Sequence, residues 1–350
     1  MGLRASTFFR SASALLVLSL ALACSPSVHK PTVYVFDGAT MGTTYMVRVV
    51  AMGIWKQAER DRLADRIQAT LDTVESKMSH YDLASELSKF NRLRRTEWFE
   101  VSPETFAVLS FAQELSEVSG GALDVTVAPL VNAWGFGPVE PTQLPPNAEE
   151  LARLRDQVGY AKLELDPVAL SVRKTDPAIE CDLSAVAKGY GVDRLATTLR
   201  EDGLARFMIE VGGEIMTAGL NQDDLPWRIG IQRPTAAGGI HRVVPLQDLA
   251  MATSGDYHNT REVNGLVFSH TIDPRSARPV EHRLGSVSVI ADHCLLADGM
   301  ATALEVLGPD DGYALALKMG WAALFLVRDG VDAFTAHATP AFEELVAEVH

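Results

Sequence analysis

Along the chain, runs of period two alternate with runs of period near 3.6, so the fold must pack helices against strands. Residues 43–49 (TTYMVRV) alternate as a strand, and Leu63, Ile67, Leu71, Val74 and Met78 then recur at helical spacing. Ser102 as N-cap, with Pro103 in the first helical position, announces a second helix whose inner face carries Phe106, Leu109, Ala112 and Leu115. Further strands are predicted at 207–211, 227–232, 267–272, 287–291 and 323–327, and further helices near 185–199 and 296–306. The expected class is α+β, with mixed sheets and helices and no short-period repeat. Residues 138–146 hold four prolines, which predicts a loop or a boundary between two lobes near 138–148.

With 350 residues, 47% hydrophobic and 22% charged, the chain can bury a large core. Its net charge of -14 opposes attraction to a polyphosphate backbone, which argues against a nucleic-acid partner. A phosphorylated ligand would need a local device, such as backbone amides, a lysine or a divalent metal.

Arg4 and Arg10 lead into the apolar run 11–23, which is shorter than the ~20 residues of a membrane span. The pattern predicts a signal peptide over 1–23. Ala21-Leu22-Ala23 before Cys24 reads as a lipobox in which Cys24 is acylated; the alternative is ordinary cleavage leaving an exposed thiol. Residues 24–36 are then expected as a lipid-anchored tether and 37–350 as the catalytic unit. Cleavage removes two arginines and no acidic residue, so the acidity belongs to the folded part. Beyond Cys24 only Cys181 and Cys294 remain, and the nine histidines include no HExxH pair, so neither a disulfide framework nor a zinc site is expected.

Several constellations can carry chemistry. Asp182 to Tyr190 (DLSAVAKGY) runs from a strand end into a helix, where Asp182 can cap the helix or receive ligand hydroxyls and Lys188 can meet a phosphate. Asp298 and Thr302 stand four apart on one helix face; they suit Mg²⁺, or simply form a polar cap pair. Ser254-Gly255-Asp256-Tyr257 is followed by Ser269 to Pro274 (SHTIDP), in which His270 is either a general base or a structural histidine. Glycine turns at 212–213 and 120–121 can bring backbone amides close to a ligand, the second leading through Ala122-Leu123-Asp124 to 129–137 (PLVNAWGFG).

Together and in this order, the segments resemble the FAD:protein FMN transferase family, the ApbE-type flavinyltransferases. Seven blocks carry the resemblance: 41–44 (MGTT); 79–81 (SHY) leading into 85–91 (SELSKFN); 121–124 (GALD) through 134–137 (WGFG); 182–190; 210–214 (EVGGE); 253–257 (TSGDY) with 269–274; and Ala297-Asp298 to Thr302. The resemblance implies a two-lobed α+β fold related to the T-fold. It implies a Mg²⁺ enzyme that takes FAD, releases AMP and leaves FMN phosphoester-linked to a Ser or Thr of an acceptor protein.

By the same resemblance, Met41, Tyr81, Ala122, Leu123, Asp124, Asp182, Lys188 and Ile272 would contact FAD. The Ala185 carbonyl, Asp298 and Thr302 would hold the metal, and His270 would act as base toward the acceptor hydroxyl or as transient nucleophile at phosphorus. The family also implies export to the periplasmic side of a bacterial membrane, the inner membrane favoured, with acceptors among flavoprotein subunits of membrane redox complexes. Two departures stand out. Ala277 occupies the glycine position of the family's Asp-Pro-Arg-Thr-Gly turn, which strains the backbone if φ is positive there, and Leu123 replaces a usual Phe. Two other readings use the same contacts: an FAD pyrophosphatase with water as acceptor, and a flavin-binding lipoprotein without turnover.

Overall fold

The computed structural model describes residues 31–139, 144–235, 237–256, 259–330 and 333–348; Cys24 and the expected signal peptide lie outside these. Strands β1 (Pro31–Thr40) and β2 (Thr43–Met52) form an antiparallel hairpin. Met41 and Gly42 turn it with φ of 47° and 71°, the pair of positive values that matches strand twist in a two-residue loop. Residues 31–36, expected in the tether, therefore belong to the fold: Tyr34 and Phe36 reach the core and hold the strand down.

Helix α1 (Gln57–Met78) buries the five apolar residues whose spacing predicted it. Next come α2 (Glu86–Arg92), the short β3 (Phe99–Glu100) and α3 (Pro103–Val118), capped as predicted by Ser102, whose hydroxyl accepts the Thr105 amide at 3.4 Å. Helices α4 (Ala128–Trp134) and α5 (Ala148–Arg155) flank the proline-rich stretch and pack into one apolar cluster. Strands β4 (Leu163–Asp166) and β5 (Ser171–Lys174) join β3 in a small sheet. Helix α6 (Ala187–Glu201) precedes β6 (Phe207–Val211), β7 (Glu214–Ala218), the pair β8 (Trp227–Gln232) and β9 (Ile240–Leu246), and β10 (Ala250–Gly255). Two ribbons follow, β11 (Thr260–Val263) with β12 (Leu266–Ser269) and β13 (Ile272–Asp273) with β14 (Arg278–Pro279). The chain ends through β15 (Leu284–Ala291), α7 (Cys294–Met319), β16 (Ala322–Arg328), β17 (Phe334–Ala338) and α8 (Pro340–Glu348).

Eight strands make one antiparallel sheet in the order β1-β2-β6-β7-β10-β15-β16-β17. Alternation sets its two faces: Val289 and Phe325 pack under α7, whereas Ile290 and Leu324 pack with Trp227 and Phe342 on the other side. Helices α1 and α6 cover the first half through Leu63, Ile67, Val192 and Leu195 against Val47, Val49 and Ile209.

One predicted element differs. The strand expected over 267–272 is split into β12 and β13: the His270 amide still donates to the carbonyl of Asn259, its opposite residue in the β11 register, at 3.1 Å, but Ile272 pairs with Pro279 instead. The helix expected near 296–306 stops where predicted: Gly308, with φ 81° and ψ -174°, is not helical, and Pro309 opens a second helical segment that runs to Met319, so α7 is two helices joined at a break.

Candidate functional site

Asp182 lies just before α6 and is buried. Its amide donates to the Val125 carbonyl at 2.7 Å, which ties it to the segment holding Ala122, Leu123 and Asp124. Its Oδ1 accepts the Ser184 amide at 2.8 Å and faces His80 Nδ1 at 3.1 Å. Burial pushes the carboxyl upward, but the bonds from His80 and Ser184 outweigh it and hold Asp182 below the usual carboxylate range.

Helix α6 crosses α7 at Gly189, where a Cβ would stand 2.5 Å from the Cys294 carbonyl oxygen and 2.8 Å from Asp298 Cβ. Only glycine allows that approach. The Gly189 amide, one of the first-turn donors that a helix leaves without an internal acceptor, donates to Asp298 Oδ2 at 2.9 Å. Lys188 Nζ lies 3.4 Å from Glu214 Oε1, 3.9 Å from Asp298 Oδ1 and 3.3 Å from the Ser184 carbonyl. Burial alone would depress this lysine, yet Asp298 and Glu214 raise it, so it stays charged. Glu214 behaves oppositely: burial raises its carboxyl to about 8 against the pull of Lys188, and its Oε2 has no partner among the described residues. Burial likewise raises Asp298.

Thr302 stands one turn beyond Asp298, its hydroxyl 3.3 Å from that of Ser254. Among the described residues no three His, Cys, Asp or Glu side chains are grouped to hold a metal. A cation here would rest instead on the Asp298 carboxylate, the Thr302 hydroxyl and the Ala185 carbonyl. Such an all-oxygen set fits Mg²⁺ in its donor chemistry.

The remaining predicted residues have partners of their own. Met41 reaches α6: its terminal methyl would lie 2.7 Å from a Cβ on Gly191. Tyr81 is exposed, and its hydroxyl donates to the Phe136 carbonyl at 3.0 Å. The Phe136 ring meets that of His270 edge-on with centroids 6.4 Å apart, which links the two segments. Other side chains are engaged internally. Leu123 lies in the core, Ile272 packs beside Trp134, and the Asp124 carboxylate accepts from the Thr126 amide and hydroxyl and the Tyr160 amide. Ala277 has φ of 61° and is fully buried, so the alanine does sit where glycine is favoured; its carbonyl accepts Trp134 Nε1 at 3.0 Å.

Sequence reasoning assigned no role to His80 or Glu214. Both stand inside quoted blocks, but their partners are 102 and 26 residues away, and only folding joins them.

The ApbE family model matches residues 41–325. The FAD:protein FMN transferase of Vibrio cholerae is 40% identical over 314 residues, 89% of this chain and 92% of that one. Its counterpart from Haemophilus influenzae is 37% identical over 338 residues, 95% and 97% of the two chains. Among solved structures, the flavin transferase ApbE from Vibrio cholerae aligns with a TM-score of 0.81 at 38% identity, covering 90% of this chain and 99% of that one. The apo Pseudomonas stutzeri flavinyl transferase ApbE gives 0.81 at 36% identity, covering 91% and 98%. Fold and site are those of a flavin-transferase class of protein. The chain belongs to the ApbE family.

Proposed function

We propose that this chain is an FAD:protein FMN transferase that moves FMN from FAD to a Ser or Thr hydroxyl of an acceptor protein, releasing AMP, with Mg²⁺ as its cation. The observation that carries the reading is the α6–α7 crossing, where Lys188, the first-turn amide of Gly189, Asp298 and Thr302 come together on the helix that follows Asp182. A dianionic dinucleotide needs such a centre in an acidic protein.

Bound by the Ala185 carbonyl, Asp298 and Thr302, Mg²⁺ would neutralise charge on the pyrophosphate during transfer. Lys188, kept charged by its two carboxylates, adds a second positive contact. Met41, Tyr81, Asp182 and Ile272 would position the nucleotide, with residues 122–124 beneath Asp182. His270 takes the proton of the acceptor hydroxyl as its oxygen attacks the FMN phosphorus. The bond from that phosphorus to the bridging oxygen breaks, and AMP leaves with the oxygen. General-base help of this kind is worth about 10²–10⁴-fold.

The N-terminal pattern supports export, with acylation of Cys24 anchoring the enzyme on the periplasmic side, at the inner membrane. Flavoprotein subunits of membrane redox complexes would be its acceptors.

Purified protein, FAD, Mg²⁺ and an acceptor with an exposed Thr should yield covalent flavin fluorescence on a denaturing gel. His270→Ala or Asp298→Ala should slow labelling by at least about 100-fold. Labelling by both variants at the wild-type rate would refute the mechanism, and rapid AMP release without acceptor would identify a hydrolase instead.

A further inference from the structure

The backbone around Asp182 is fixed before its side chain is considered. Asn91 clamps the preceding residue, donating Nδ2 to the Cys181 carbonyl at 2.8 Å and accepting the Cys181 amide at 2.7 Å. Lys174, almost fully buried, holds that platform by donating to the carbonyls of Asn91 at 3.1 Å and Ile179 at 2.9 Å. With the Asp182 amide bound to Val125, only rotation of the carboxylate remains. The Ser184 amide and the His80 ring both meet Oδ1 and set that rotation, and the Ser184 hydroxyl adds a third bond to the carboxylate.

His80 is itself held in place. Its ring lies 4.3 Å from that of Tyr81, centroid to centroid, and is 8% exposed. The Ser79 carbonyl accepts the hydroxyls of Ser85 and Ser88, while Ser79 Oγ accepts the amides of Tyr81 and Asp82. Nε2 is buried without a partner among the described residues. A residue present only for packing would avoid that unsatisfied nitrogen, so the ring earns its place through Nδ1.

We propose that His80 is a positioning residue for the flavin nucleotide: its Nδ1–H bond to Oδ1 turns the Asp182 carboxylate so that Oδ2 is the oxygen offered to a hydroxyl or N–H of the ligand. This rests on the reading of Asp182 as an FAD contact. The logic is that of an outer-shell partner that orients a binding group without touching the ligand.

The test titrates FAD against the purified protein by flavin fluorescence, alongside urea unfolding and transfer kinetics. His80→Ala should weaken FAD binding about 10- to 100-fold, the effect of losing a hydrogen bond to a charged group, while kcat at saturating FAD changes less than about 3-fold. His80→Asn keeps a donor near the Nδ1 position and should recover most of the affinity. His80→Gln places its amide nearer Nε2 and should not. Wild-type affinity in His80→Ala, or equal recovery by His80→Gln and His80→Asn, overturns the proposal. If His80→Ala is too unstable to titrate, the Asn and Gln variants decide alone. Asp182→Asn separates the two failures: normal FAD binding there removes the Asp182 contact itself, whereas weak binding there with normal His80→Ala removes only the role of His80.

Discussion

Gly189→Ala tests the crossing on which the site depends. The added methyl would meet the Cys294 carbonyl oxygen at 2.5 Å and Asp298 Cβ at 2.8 Å, both parts of α7 that no side-chain rotation can clear. The helices must move apart, and overpacking of this kind costs about 1–3 kcal/mol. The 2.9 Å bond from the Gly189 amide to Asp298 lengthens as they move, adding up to about 1.5 kcal/mol, while alanine returns up to about 1 kcal/mol in helix propensity. The net expectation is a loss of roughly 1–3 kcal/mol. Urea unfolding should show a lower midpoint with an unchanged slope. Flavin transfer should also require more Mg²⁺, because Asp298 and the Ala185 carbonyl separate. Wild-type stability together with a wild-type Mg²⁺ requirement would refute the claim that close α6–α7 contact builds the centre.

Two further outcomes follow from buried groups. The folded protein keeps a proton on Glu214, raised to about 8 by burial, that the unfolded chain loses near 4.5; stability therefore falls as pH rises between those values. Glu214→Gln removes this contribution, so its urea midpoints at pH 5 and pH 8 should differ less than those of wild type, and equal pH slopes would contradict the assignment. At Ala277, glycine relieves about 1–2 kcal/mol of left-handed strain but loses a buried methyl worth about 0.8 kcal/mol and gains unfolded-state freedom, so Ala277→Gly should stay within about 1 kcal/mol of wild type. Ala277→Val, β-branched in a fully buried left-handed position, should lose more than about 2 kcal/mol by thermal unfolding.

The parts of the fold legible in sequence are those whose cause is local. The α1 stripe, the Ser102-Pro103 start of α3 and the strands β6 and β8 each follow from neighbours within a turn or a pleat. Strand β1 was hidden because residues 33–36 run apolar without alternation, whereas the break in α7 was legible because Gly308 and Pro309 end one helical segment and open the next. In the site, block order exposed Asp182, Lys188, Asp298 and Thr302 by residue type. What it could not show is assembly: Glu214 gains its raised carboxyl only from burial beside Lys188, and His80 acquires a purpose only beside Asp182. The positive φ of Ala277 came into question only through the resemblance, because the family usually has glycine there.

Strands β10 and β15 pair directly, from Ala250 opposite Ala291 to Gly255 opposite Ser286. The described residues between them, both ribbons and His270 among them, therefore lie outside the sheet. They are fastened elsewhere, by Arg261 to the Trp134 carbonyl and by Trp134 to Ala277. Lengthening or exchanging this insert disturbs no register in the sheet. The loop bearing His270 can thus change in length or sequence without re-registering the strands that carry the rest of the fold.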